Sequence, residues 1–138
     1  MGNFEFKSRI CTTKEQSERL LKLGLKKETA DMCWQETTLN GKVITYPAQD
    51  VWHCSTAITN FHIPAWSLHR LVEMINLKIQ FRLKEKATVI YNVSHLQPFQ
   101  SFSGFGIDGK SYYNSIINAI EWLIKEGYFN KDYLEEKQ

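Results

Sequence analysis

One octapeptide carries a nameable chemistry. Residues 104–111, GFGIDGKS, fit the pattern G-x-x-x-x-G-K-[ST]. In a phosphate-binding loop of that form, consecutive backbone N–H groups and a helix N-terminus surround phosphate oxygens. The lysine reaches the outer phosphates and the hydroxyl binds Mg²⁺. Gly106, Gly109, Lys110 and Ser111 are therefore the candidate anion ligands. The same stretch also fits G-x-G-x-x-G, the dinucleotide pattern. Both patterns work only between a buried parallel strand and a helix. The preceding SHLQPFQSFS, with Pro98 and its polar neighbours, makes a poor central strand. The chain ends at residue 138, and the helix after Ser111 takes over half of what remains. No later strand is left to complete a βαβ unit or to carry the acidic Mg²⁺ partner. The expectation is a glycine loop entering a helix capped by Ser111, with anion binding as the alternative.

A second set is basic. Lys78, Arg82, Lys84 and Lys86 alternate with or follow apolar residues, so they share one outward strand face and its turn. Such a face suits nucleic-acid phosphates, with Tyr91 placed for stacking. Lysines on an edge strand also discourage aggregation without binding anything. A third set, His53, Cys54, His62, His69 and His95, lacks the tight paired spacing of zinc ligands, and no metal site is expected. Three cysteines and four histidines allow chance Cys–His pairs, but no nucleophile elbow accompanies them. No catalytic residue and no cofactor are assigned.

These residues must be held by elements that the sequence marks locally. Thr12-x-x-Glu15 and Thr13-x-x-Gln16 both fit a capping box. Gly24 suits the left-handed position after that first helix, with Leu25 set to meet Leu20. Asn40-Gly41 is a two-residue hairpin turn that places Leu39 opposite Lys42, Thr37 opposite Ile44 and Gln35 opposite Tyr46, with Pro47 limiting the second strand. QDVWHCSTAITNFH is the least legible stretch. IPAWSLHRLVEMI reads as a helix with Pro64 at its first position and Leu68, Leu71, Val72 and Ile75 on one face. Leu77, Ile79, Phe81 and Leu83 alternate with polar residues; KEK turns the chain, and ATVIYNV pairs back. Tyr113, Ile116, Ile117, Ile120, Leu123 and Ile124 recur at helical spacing, and Gly127 ends that helix with Tyr128 set against Leu123. The expected fold is α+β: three helices packed on a small, mainly antiparallel sheet of about four strands in hairpins.

The remaining bounds are coarse. The 138 residues favour one domain over 1–138, frayed up to about Phe6 and over the final YLEEKQ. The net charge of +2 is too small to indicate a nucleic-acid partner by itself. Cys11, Cys33 and Cys54, without C-x-x-C, read as reduced thiols of a cytoplasmic protein. No apolar run is long enough to span a membrane, and the first residues lack an apolar signal-peptide stretch. Four Trp, six Tyr and eight Phe are a rich aromatic set that can supply a core, an interface or both, with most tryptophans expected in the core; Trp122 sits beside the apolar stripe of its helix. Rigid aromatics of that kind anchor protein interfaces.

Three stretches together, SRICTTKEQSERLLKLGLKKETADMCW, IPAWSLHRLVEMI and NAIEWLIKEGYFNKDYL, resemble a family of small uncharacterised proteins from gut Bacteroides-type bacteria, often associated with prophages and mobile elements. The resemblance covers nearly half the chain and leaves out residues 104–111. It implies a bacterial or phage-encoded accessory protein and carries over no functional residue. The functional expectation is a non-enzymatic protein-interaction module, its partner a protein or a second copy of itself. Phosphate-group binding, at residues 104–111 or on the basic strand face, is the alternative.

Overall fold

The structure, a computed structural model, describes residues 9–39, 42–48, 63–75, 79–84, 87–92, 101–105 and 110–136. Helix α1 (Lys14–Lys22) starts where the capping box requires. The Thr13 N–H donates to Gln16 Oε1 at 2.9 Å and the Gln16 N–H donates to Thr13 Oγ1 at 3.1 Å, so two orphan donors are satisfied reciprocally. Gly24 ends it with φ 105°. The Leu25 N–H then bonds the Leu20 carbonyl at 3.2 Å and the Gly24 N–H bonds the Leu21 carbonyl at 3.0 Å, a Schellman ending with Leu20 and Leu25 both in the core.

Strands β1 (Met32–Leu39) and β2 (Lys42–Ala48) form the first hairpin in the expected register, Leu39 opposite Lys42, Thr37 opposite Ile44 and Gln35 opposite Tyr46. The Asn40-Gly41 turn itself lies outside the described residues. Pro47 pairs with Trp34, one residue before the strand ends; β2 is an edge strand, where a missing N–H is tolerated.

The next segment corrects the reading of Pro64. Ile63–Ala65 is a strand, β3, antiparallel to β1, and Pro64 faces Cys33 across the pair. An edge strand accepts proline for the same reason that a first helical turn does: neither needs its N–H. Helix α2 (Leu68–Ile75) begins only after Trp66 and Ser67. Ser67 caps it, its Oγ accepting the Arg70 N–H at 3.1 Å. Asp31 braces that cap, accepting the Ser67 N–H on one oxygen and the Ser67 hydroxyl on the other.

Strands β4 (Ile79–Lys84) and β5 (Ala87–Asn92) form the second expected hairpin. A sixth strand, β6 (Ser101–Phe105), adds to β5, also antiparallel. The class is therefore mixed α+β, with three α-helices and antiparallel pairing among the described residues. Among the described residues, the expectation of one sheet of about four strands is corrected to two three-stranded sheets, ordered β2-β1-β3 and β4-β5-β6. Each hairpin recruits one strand that the sequence pattern conceals.

Helix α3 (Lys110–Lys125) packs on β6, β5, α2 and α1. It begins at Lys110, so Ser111 lies inside the first turn rather than at the cap. Tyr113, Ile116, Ile117, Ile120 and Leu123 are buried as the periodicity requires, and they share one core with Leu20, Leu25, Trp66, Leu71, Met74 and Ile75. Gly127, at φ 78°, closes the helix. The Tyr128 N–H bonds the Leu123 carbonyl at 2.8 Å, but the Tyr128 ring remains exposed, and Phe129 enters the core in its place. Beyond Gly127 the described chain returns to the end of α1. Leu134 pairs with Leu25, and the Glu135 N–H bonds the Gly24 carbonyl at 2.7 Å.

Candidate functional site: the strand, loop and helix around Lys110

Strand β6 and α3 follow each other in the order that a phosphate cradle uses, but the strand is of another kind. It lies at the edge of its sheet and is antiparallel to its partner. Gly104, the first glycine of the motif, belongs to this strand and is buried. A Cβ built on it would stand 2.1 Å from the Ser115 backbone nitrogen and 2.4 Å from the Ser111 carbonyl oxygen. The residue is glycine because strand and helix backbones touch there.

Asparagines of α3 then close the open edge of β6. Asn118 Nδ2 donates to the Ser103 carbonyl at 2.7 Å, and Asn114 Nδ2 donates to the Phe105 carbonyl. Both asparagines are held from the other side by α1. Gln16 Nε2 donates to Asn114 Oδ1 at 2.8 Å and to the Lys110 carbonyl at 3.3 Å. An Arg19 NH2 donates to Asn118 Oδ1 at 2.7 Å and pairs with Glu121. A ladder of amides thus links α1, α3 and β6, covering an edge that would otherwise template aggregation. Sequence reasoning misses it, since Asn114 and Asn118 show only an i, i+4 spacing that any exposed helix face could have.

Of the four candidate anion ligands, Lys110 is half-buried and Ser111 is buried in the first turn. Gly106 and Gly109 lie outside the described residues. In the basic set, Arg82 and Lys84 lie on β4 opposite Val89 and Ala87, whereas Lys78 and Lys86 lie outside the described residues. His69 is exposed on α2; His53, Cys54, His62 and His95 are likewise outside. Among the described residues no group of His, Cys, Asp or Glu is arranged to hold a metal.

The cysteines correct the uniform reduced-thiol expectation. Cys33 is disulfide-bonded, its partner lying outside the described residues, and Cys11 is a free, buried thiol. Burial, reinforced by the Asp31 carboxylate, pushes the Cys11 thiol up from 9.0 to about 11. The neighbouring Tyr113 hydroxyl, which donates to the Arg9 carbonyl at 2.8 Å, is pushed up to about 12, first by burial and then by Cys11. Both groups fold in their neutral forms. Their contribution to stability is complete below pH 9 and is lost as pH rises toward these values, because the unfolded chain ionises first. Cys11 is therefore a packed thiol rather than a nucleophile. Below pH 9 its thiolate fraction is roughly a hundredfold smaller than that of an ordinary thiol. Labelling of the native protein followed by mass spectrometry is expected to modify Cys11 at least about a hundredfold more slowly than in the unfolded chain. Labelling at the unfolded rate would show that the thiol is not enclosed.

An aromatic row runs from β6 past Trp122 of α3 to the turn after that helix. Phe102 and Trp122 have ring centroids 5.8 Å apart, and Trp122 and Tyr128 also lie 5.8 Å apart. Tyr128 is 64% exposed. Trp66 is fully buried, and Trp34 Nε1 donates to the Thr12 carbonyl at 2.9 Å; Trp52 lies outside the described residues. Among the described residues no helix is long and apolar enough to cross a membrane. Comparison with protein-family models, with curated proteins and with solved structures finds no match for this chain.

Proposed function

We propose that the chain is a non-enzymatic protein-interaction module, a bacterial or phage-encoded accessory protein, whose contact surface is the aromatic row of Phe102, Trp122 and Tyr128. The observation that carries this reading is Tyr128, a large ring left 64% exposed at the end of a row whose other members are half-buried. Tyrosine and tryptophan in that position supply contact area at little entropic cost and are the usual anchors of interfaces. Nucleotide binding at residues 104–111 is not favoured, because Gly104 is taken up by strand–helix packing and β6 is an antiparallel edge strand.

The test has two arms. In sedimentation and light scattering, the wild-type protein is expected to self-associate with rising concentration, and Tyr128→Asp to remain monomeric over the same range. In parallel, a photo-crosslinking amino acid placed at position 128 is expected to capture a protein that the same group at exposed Lys131 does not. A wild-type protein that stays monomeric, together with equal capture from both positions, would remove the reading.

A further inference from the structure

Two donors in the aromatic row are unused. Neither the Trp122 indole N–H nor the Tyr128 hydroxyl has a hydrogen-bond partner among the described residues, and the indole nitrogen is not enclosed. Each ring therefore joins an apolar face to a donor open to water. The rings are also set in advance. Phe102 stands on β6, which Asn114 and Asn118 fasten to α3, and Trp122 packs on the core from α3. Gly127, at φ 78°, turns the chain so that Tyr128 stands beside Trp122. Phe102 and Trp122 are tilted by 54°, and Trp122 and Tyr128 by 35°. Rings tilted in this way present ridges and notches rather than a flat wall. A ligand that meets them costs little further rotamer freedom.

The surroundings narrow the ligand. Lys125 and Glu126 follow Trp122 by one helical turn, both exposed and opposite in sign, while Glu121 is already paired with Arg19. A charged ligand finds no complement there, so the ligand is neutral. An added β-strand finds no free edge, because the Ser103 and Phe105 carbonyls of β6 are taken by Asn118 and Asn114. A helical ligand spends its carbonyls on its own ladder and leaves the two donors unmet. A polyproline II segment has no internal hydrogen bonds, so its carbonyls stand outward as acceptors, and its proline rings are apolar. Its turn of three residues rises about 9 Å. The row, with neighbouring centroids 5.8 Å apart over two steps, is long enough to hold one such turn.

We infer that the row of Phe102, Trp122 and Tyr128 binds a neutral, proline-rich segment in the polyproline II conformation. Its prolines lie in the notches between the rings, and its carbonyls accept from Trp122 Nε1–H and the Tyr128 hydroxyl. This inference rests on the protein-interaction reading and names the partner of that surface.

A blocked polyproline peptide of about ten residues, titrated into the full chain with isotope-labelled indole nitrogens, tests it by NMR. The Trp122 indole N–H resonance, identified by its loss in Trp122→Phe, is expected to shift saturably with a Kd under about 1 mM. A glycine–serine peptide of equal length should leave it in place. Tyr128→Ala is expected to weaken binding at least about tenfold. Tyr128→Phe, which keeps the ring and removes the donor, should weaken it about fivefold. Position 128 is exposed, so the melting transition should stay in place in both variants. Raising salt from about 50 mM to about 500 mM should change the affinity by less than about twofold, since no charge pairs form. No shift at about 5 mM polyproline would overturn the inference, as would an equal response to the glycine–serine peptide or unchanged affinity in Tyr128→Ala. If polyproline leaves Trp122 unmoved while Tyr128→Asp still abolishes self-association, a second copy of the chain covers the row. The inference then fails and the protein-interaction reading stands.

Discussion

Gly104→Ala is expected to destabilise the fold by about 3 kcal/mol, among the larger costs of overpacking. The added methyl would stand 2.1 Å from the Ser115 nitrogen, 2.4 Å from the Ser111 oxygen and 2.7 Å from the Asn114 carbonyl carbon. All three are backbone atoms, so no side chain can swing aside. Helix α3 would have to withdraw from β6. Withdrawal loosens the bonds from Asn114 and Asn118 to the Phe105 and Ser103 carbonyls and, behind them, the contacts to Gln16 and Arg19. The melting temperature should fall by about 10 °C for a chain of this size. A phosphate-loop role for Gly104 predicts the opposite pattern, in which stability is nearly unchanged and a nucleotide-dependent shift is lost. Equilibrium unfolding in urea separates the two. A change within about 0.5 kcal/mol would mean that strand and helix do not approach as closely as described here.

What the sequence reveals about this fold is what is determined within a few residues. The Thr13–Gln16 box, the glycines at 24 and 127 and the register around Asn40-Gly41 are each set by local backbone chemistry, and each is found where that chemistry puts it. The stripe on α3 is equally local, because a helix buries what recurs at its own period. The two misread strands depend on distant partners. Ile63–Ala65 is extended because β1 offers it an edge, and Pro64 alone does not distinguish that edge from a helix start. Ser101–Phe105 has the composition of a loop and becomes a strand through β5 on one side and two asparagines of α3 on the other. The disulfide at Cys33 has no local signal at all, since cysteines that pair meet in space and not in spacing.

Trp66 should be the costliest large side chain to remove. It is fully buried in the core shared by α1, α2 and α3, although it lies in neither a helix nor a strand. It connects β3 to α2 and is fastened at three points. Its N–H donates to Thr12 Oγ1 at 3.1 Å, its carbonyl accepts the Thr12 N–H at 2.9 Å, and its indole Nε1 donates to Thr29 Oγ1 at 2.9 Å. Trp66→Ala would leave a cavity between α1, α2 and α3 and is expected to cost about 4 kcal/mol. Trp66→Phe separates the two contributions, because the backbone bonds to Thr12 survive and most of the apolar volume is kept. Thr29 is not orphaned by that change, since its hydroxyl already donates to the Lys26 carbonyl at 2.6 Å. The phenylalanine variant should therefore lose only about 1.5 kcal/mol, the sum of a modest volume deficit and one net hydrogen bond. If both variants lose the same amount, the indole bond rather than the packed volume holds this junction. If Trp66→Ala loses less than about 1 kcal/mol, the side chain is not the centre of the core that joins the two sheets' connections to the helices.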